Sequence, residues 1–169
     1  MKTSIKSLLI LSVLSCSLCA ADSAVKGKDK SFLKDAYEDG LAEISAGQLA
    51  SSKASNADVK AFAQHMVEDH TKANAELKTL ADSKKVEVPN EPSTVAKGKA
   101  KLLESKSGGD FDKAYVDAMV KDHDKAVKAF AKSANEALDA DVKAFAAKTL
   151  PTLEGHLKMA QDLQAKLGK

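Results

Sequence analysis

The sequence predicts an all-α chain in which four long helices pack as a bundle, with a long connection between the second and third. Apolar residues recur at helical spacing through four segments of about 26 residues, each ~39 Å long as a helix. Aromatics are only 4% of the residues, and alanine and leucine fill the apolar positions, as suits a helical bundle. Residues 57–63 and 140–146 both read Ala-Asp-Val-Lys-Ala-Phe-Ala, an echo that pairs helices one and two against helices three and four as related hairpins.

The N-terminus stands apart from the bundle. Lys2 and Lys6 precede an apolar run, Leu8 to Leu14, followed by small residues. That is the pattern of a secretory signal peptide over residues 1–21. The run is too short to span a bilayer, which needs roughly 20 apolar residues. Cleavage after Ala21 leaves no cysteine, hence no disulfide or thiolate chemistry, and places the protein in the periplasm or outside the cell. Val13-Leu14-Ser15-Cys16 also loosely matches a lipoprotein box that would leave Cys16 lipidated, but Leu14 fits that pattern poorly and simple export is preferred. Residues 22–30 are short and polar and read as a flexible leader. The bundle then occupies residues 31–169.

Helix one is expected from Ser31, as cap, to about Ser55. Leu33, Tyr37, Leu41, Ile44 and Leu49 form one stripe; Ala36, Gly40, Gly47 and Ala50 form a second, small one that contains Glu43. The small stripe suits close helix packing, or leaves space beside Glu43. Asn56 caps helix two, which runs to about Ser83 with Val59, Phe62, Met66, His70 and Leu77 inward and His65 off the stripe at the surface. Residues 84–109 form the connection: extended through Pro89 and Pro92, a short helix over 93–105, and a break at Gly108-Gly109. That length reaches from one end of a bundle to the other. Asp110 is expected to cap helix three, with Phe111, Tyr115, Met119, His123 and Phe130 inward. Asp139 caps helix four, whose stripe includes Phe145, Leu153, His156 and Leu163, and Pro151 removes one of its backbone bonds, so a kink is expected there.

Composition excludes some functions. Removing Lys2 and Lys6 leaves 24 of the 26 basic side chains against 24 acidic ones, and every basic residue is lysine. A near-neutral, arginine-free chain lacks the basic face of a nucleic-acid binder. No basic amphipathic membrane helix stands out.

The chemistry gathers at mid-height. Met66-Val67-Glu68-Asp69-His70 returns as Met119-Val120-Lys121-Asp122-His123. His70 and His123 sit near the middles of their helices, as does Glu43, and His156 lies slightly past the middle of its own. In a bundle, helix midpoints share a level whichever way each helix runs. Three imidazoles and a carboxylate suit zinc, iron, copper or manganese. Asp69 and Asp122 point ~100° away from the adjacent histidines, so each is placed to support a histidine on another helix or to add a ligand. The metal-ligand set expected from sequence is therefore Glu43, His70, His123, His156, Asp69 and Asp122. Met66, Met119 and Met159 are read as core fillers.

These segments, with Leu150-Pro151-x-Leu153-x-x-His156 and the exported start, resemble the bacterial family called domain of unknown function 4142, over about residues 31–165. The resemblance implies a ferritin-like four-helix bundle with a crossover at 84–109, and exported proteins often labelled as outer membrane proteins; it implies no activity. The absence of alternating apolar runs argues against an integral barrel. Di-iron members of the ferritin-like class carry Glu-x-x-His on two helices. Here Val67, Val120 and Leu153 stand where those glutamates would be, so a histidine-rich single-metal site fits better. The expected function is metal binding in the envelope, for buffering or protection against oxidative stress. The alternative is a non-catalytic envelope module whose core histidines and carboxylates form a hydrogen-bond network without metal. Nothing in the sequence points to a substrate, so enzymatic activity is not assigned.

Overall fold

The computed structural model describes Val25 and residues 27–168; the signal peptide with Cys16, and residues 22–24 and 26 of the leader, lie outside the described residues. The chain is helical: α1 (Gly27–Lys53), α2 (Ala57–Ser83), α3 (Thr94–Glu104), α4 (Gly108–Glu136) and α5 (Ala140–Leu167). Two helix starts follow directly from local chemistry. The Asn56 side chain accepts from the amides of Asp58 and Val59, and Asp139 accepts from those of Asp141 and Val142. Each satisfies orphan donors of the first turn. Ser93 caps the short α3 in the same way.

Two other starts differ from expectation. α1 begins at Gly27, four residues before Ser31, so residues 27–30 are helix. The reason is tertiary: Asp29 is buried and accepts from the backbone amides of Leu138 (2.9 Å) and Asp139 (2.8 Å) in the α4–α5 loop. α4 begins at Gly108, so Gly108-Gly109 opens the helix instead of breaking the chain ahead of it, and Asp110 is not the cap. Ser107 holds the N-cap position without a side-chain bond, and Gly108 adopts φ +55°, a conformation cheap only for glycine. Asp110 falls in the first turn, where the helix dipole favours it. α5 runs through Pro151 without a break.

α1–α2 and α4–α5 form two hairpins with short loops at 54–56 and 137–139. They clasp each other reciprocally. Asp112, near the start of α4, is 1% exposed and accepts from the amides of Ser55 (2.9 Å) and Asn56 (2.8 Å) and from the Ser55 hydroxyl. Asp29, near the start of α1, does the same for the opposite loop. At the other faces Lys84 bridges to Asp139 (2.8 Å) and Asp141 (2.6 Å), and Lys166 reaches Asp58 (3.1 Å). So α1 and α4 lie side by side with opposite directions, as do α2 and α5. α3 rests against α1 and α4.

The core is two apolar clusters separated along the bundle. One gathers Phe62, Met66, Phe111, Tyr115, Met119 and Leu163. The other gathers Leu33, Leu77, Phe130, Val142, Phe145 and Leu153. Burial of such side chains contributes about 1.5–3 kcal/mol each. In α1 the small stripe faces inward: Gly40, Gly47 and Ala50 are buried, while Leu41 and Ile44 are partly exposed. A Cβ on Gly40 would stand 2.1 Å from Asn74 Oδ1, and one on Gly47 would stand 2.8 Å from Val67 Cγ2. Close packing against α2 therefore accounts for both glycines. Asn74, buried at this contact, donates from Nδ2 to the Tyr37 carbonyl at 3.1 Å.

Candidate metal centre

Between the two apolar clusters lies a polar layer, and its position follows from helical spacing. On α2, His70 comes one turn after Met66 and two before Leu77; on α4, His123 comes one turn after Met119 and two before Phe130. On α5, His156 falls between Leu153 and Ala160, members of opposite clusters. Three helices thus deliver one imidazole each to the same level. Ring centroids are 5.6 Å apart for His70–His123, 5.4 Å for His70–His156 and 5.3 Å for His123–His156. A nitrogen from each lies within 4.8 Å of the other two, and all three residues are buried.

Hydrogen-bond partners set the tautomers. His123 Nδ1 faces the Met119 carbonyl at 3.0 Å. A carbonyl only accepts, so Nδ1 carries the proton and Nε2 the lone pair. His156 Nε2 faces Asp69 Oδ2 at 2.9 Å, which puts the proton on Nε2 and the lone pair on Nδ1. The nitrogens left over are His70 Nε2, His123 Nε2 and His156 Nδ1, all buried and all without a hydrogen-bond partner. An unsatisfied buried polar atom costs about 1–3 kcal/mol, and three at one level are unusual. Burial lowers all three imidazoles' affinity for protons, and neighbouring rings reinforce this: His70 is pushed down to about 3 and His123 to about 4, and His156 is lowered despite Asp69. The rings are neutral at neutral pH, each with one lone pair to give. A histidine that donates to a carboxylate with one nitrogen and offers the other is the usual arrangement of a metal ligand.

The remaining sequence-predicted residues are placed differently. Asp69 stands behind His156. Glu43 and Asp122 belong to neither of the groups within mutual ligand distance. Asp122 pairs with Lys99 of α3 at 3.1 Å. Glu43 is partly exposed as a residue, yet its Oε2 is buried and unpartnered, as is the Tyr115 hydroxyl. Burial, with Asp122 and Asp39 adding to it, pushes Glu43 up to about 8. Glu43, Asp122 and the three histidines all line a cavity of about 1450 Å³ bounded by all five helices. His65, off the buried stripe, is nonetheless near the site: its Nε2 is 3.3 Å from Asp69 Oδ2 and its ring centroid 5.5 Å from that of His156. Helical spacing alone hides it, because the partner is on α5.

These groups are expected to give the metal-free protein a bell-shaped stability. A histidine whose folded pKa is depressed favours folding above its ordinary 6.5, and that contribution is lost as pH falls towards about 4 and 3 for His123 and His70. Glu43, raised from 4.5 to about 8, works the other way: its contribution is present below 4.5 and lost as pH rises through 8. Between 4.5 and 6.5 the two trends oppose. From 6.5 to 8 only the carboxyl acts. Melting temperatures in chelator should therefore fall across that upper window in the parent and stay level in Glu43→Gln. An equal decline in both proteins would show that Glu43 does not titrate there.

Comparison with solved structures returns helical proteins of the same shape. A crystal structure of a DUF305 fragment from Deinococcus radiodurans matches with a TM-score of 0.73 at 10% identity, covering 84% of this chain and 98% of that one. A DUF305 protein from Streptomyces coelicolor, provisionally described as secreted, matches with a TM-score of 0.70 at 18% identity, covering 88% and 96%. At these identities the likeness is one of fold. No curated protein matches the chain. The family described as domain of unknown function (DUF4142) matches residues 15–163, and the chain belongs to that family.

Proposed function

We propose that this protein is an exported bundle that binds a transition-metal ion through His70 Nε2, His123 Nε2 and His156 Nδ1. The observation that carries this is three buried ring nitrogens without a partner, one on each of three histidines that bring a ligand atom within 4.8 Å of the other two. Neutral imidazoles of this kind suit zinc, copper, iron or manganese. Asp69 orients His156, Asp122 adds negative charge to the same cavity, and Glu43 offers a further oxygen ligand there. The role is buffering of metal, or protection from oxidative stress, in the periplasm. The architecture is a ferritin-like four-helix bundle, supported by the opposed directions of α1 and α4 and of α2 and α5. With those directions the connection between α2 and α4, residues 84–107, joins opposite ends of the bundle, as a crossover must. Export is supported by the basic and apolar start of the chain and by the secreted description of one structural neighbour; among the described residues no helix is long and apolar enough to cross a membrane. The metal-free network reading is weaker: of the three histidines only His156 bonds a carboxylate, and each ring keeps an unpartnered nitrogen.

Elemental analysis of untagged protein, beside a His70→Ala, His123→Ala variant, tests this. About one transition-metal ion per chain is expected in the parent and none in the variant after dialysis. A parent that carries no metal as purified and takes none up after chelator treatment would end the proposal.

A further inference from the structure

His156 faces two constellations with its two ring nitrogens. Nδ1 is buried without a partner, which leaves it as the nitrogen His156 can offer to the trio with His70 and His123. Nε2 looks the other way, to Asp69 Oδ2 at 2.9 Å, and Asp69 is 3.3 Å from His65 Nε2. His65, Asp69 and His156 thereby make a second group whose ligand atoms lie within 4.8 Å of one another. The two groups differ in access. The inner one is buried throughout; the outer one has His65 and Asp69 side chains 47% and 28% exposed. Helical geometry explains the gradient. His65 and Asp69 are one turn apart on the same face of α2, and His70, the next residue, is rotated ~100° inward.

We propose that the outer group is a docking station for the metal ion, which is handed to the inner trio across the ring of His156. The inference rests on the inner trio being a metal site. A neutral imidazole has a lone pair on only one nitrogen, so His156 serves one station at a time. In the outer state the ion is held by His65 Nε2, an Asp69 oxygen and His156 Nε2, with the proton on His156 Nδ1. On hand-over the bonds to these three atoms break, and bonds form to His156 Nδ1, His70 Nε2 and His123 Nε2. The proton on Nδ1 is given up to water as the ion takes that nitrogen, and Nε2 takes one back from water beside the part-exposed Asp69, which accepts the hydrogen bond. No net charge or proton is gained or lost. Asp69 thus changes from ligand to support, and His65 takes part only in the outer state.

The test is uptake of cobalt(II), read by its visible absorption in stopped flow, with release into excess chelator followed the same way. His65 is exposed, so His65→Ala removes it without disturbing the core. Uptake and release in His65→Ala are both expected to slow about tenfold, equivalent to ~1.4 kcal/mol of barrier. Affinity and the stoichiometry of about one ion per chain should stay those of the parent, because the inner ligands are intact. His65→Glu, whose carboxylate reaches about as far from the backbone as the lost Nε2, should recover most of the rate. Unchanged rates in His65→Ala would overturn the proposal in favour of access through the large cavity. Two ions bound per parent chain would overturn it in favour of independent sites. A parent that binds no cobalt would instead remove the inner site itself, and is recognised by the absence of any signal to slow.

Discussion

His123→Leu is expected to abolish metal binding while leaving the metal-free protein as stable as the parent, or more so. His123 is 1% exposed, and its only hydrogen bond joins Nδ1 to the carbonyl of Met119 one turn earlier in the same helix. That carbonyl keeps its place in the helix ladder when the ring is gone. Nε2, buried without a partner, is the atom the substitution removes, and removing an orphaned polar atom from a core is neutral or favourable. Leucine offers apolar surface to Met119, one turn earlier on the same face of α4. The loss of a direct ligand should exceed the 10–100-fold that losing a supporting partner typically costs in affinity. In the parent, metal at about a hundred times its dissociation constant adds about 2.7 kcal/mol of stability. That is a rise of roughly 5–10 °C in melting temperature for a chain of this size. The variant should show no rise. Thermal melts with and without metal, beside a titration, measure both halves. If His123→Leu melted well below the parent in chelator, the ring would be a packing or hydrogen-bonding element in its own right, and the case for a vacant ligand would fail.

The largest purely structural effect is expected at Asp112. Its carboxylate accepts two backbone amides and a hydroxyl from the α1–α2 loop, and it is the tie between the start of α4 and the other hairpin. Asp112→Ala strands those donors. Hydrogen bonds to a charged group contribute about 1.5–3 kcal/mol each, not additively, so a loss of about 3 kcal/mol is expected. The melting temperature should drop by about 10 °C. Asp29→Ala removes the same kind of tie at the opposite loop but with two amide bonds, and should cost less. Asp112→Asn retains an acceptor oxygen and should fall between parent and Asp112→Ala. Urea denaturation ranks the three. A change under ~0.5 kcal/mol for Asp112→Ala, the range of ordinary surface substitutions, would mean the clasp is solvated and contributes little.

Much of this protein was readable residue by residue. Asn56 and Asp139 are caps because a short acceptor side chain reaches amides two and three positions on, an interaction contained within four residues. The inward histidines follow from their distance to Met66, Met119 and Leu153 along each helix, and their common level follows from the lengths of those helices. Asp110 shows where local reasoning stops: its side chain suits a cap, but Gly108 at positive φ lets the helix start earlier. The two buried aspartates were invisible for a different reason. Asp112 meets residues 56 and 57 positions away, and Asp29 residues 109 and 110 positions away, and no periodicity encodes such a pairing.

The sequence by itself determined that the chain is helical, where the helices divide, and that one histidine from each of three helices faces the interior at mid-height. These are consequences of local propensity and of the 3.6-residue period, which each segment carries within itself. Only the tertiary structure decided which ring nitrogens are left without partners, that Asp69 supports His156, that Glu43 and Asp122 stand outside both ligand groups, and that the exposed His65 adjoins the site. Those depend on the rotation and separation of packed helices. Over a few ångströms such differences decide whether an atom is a ligand or a neighbour, and they arise from the whole set of side chains filling the core at once.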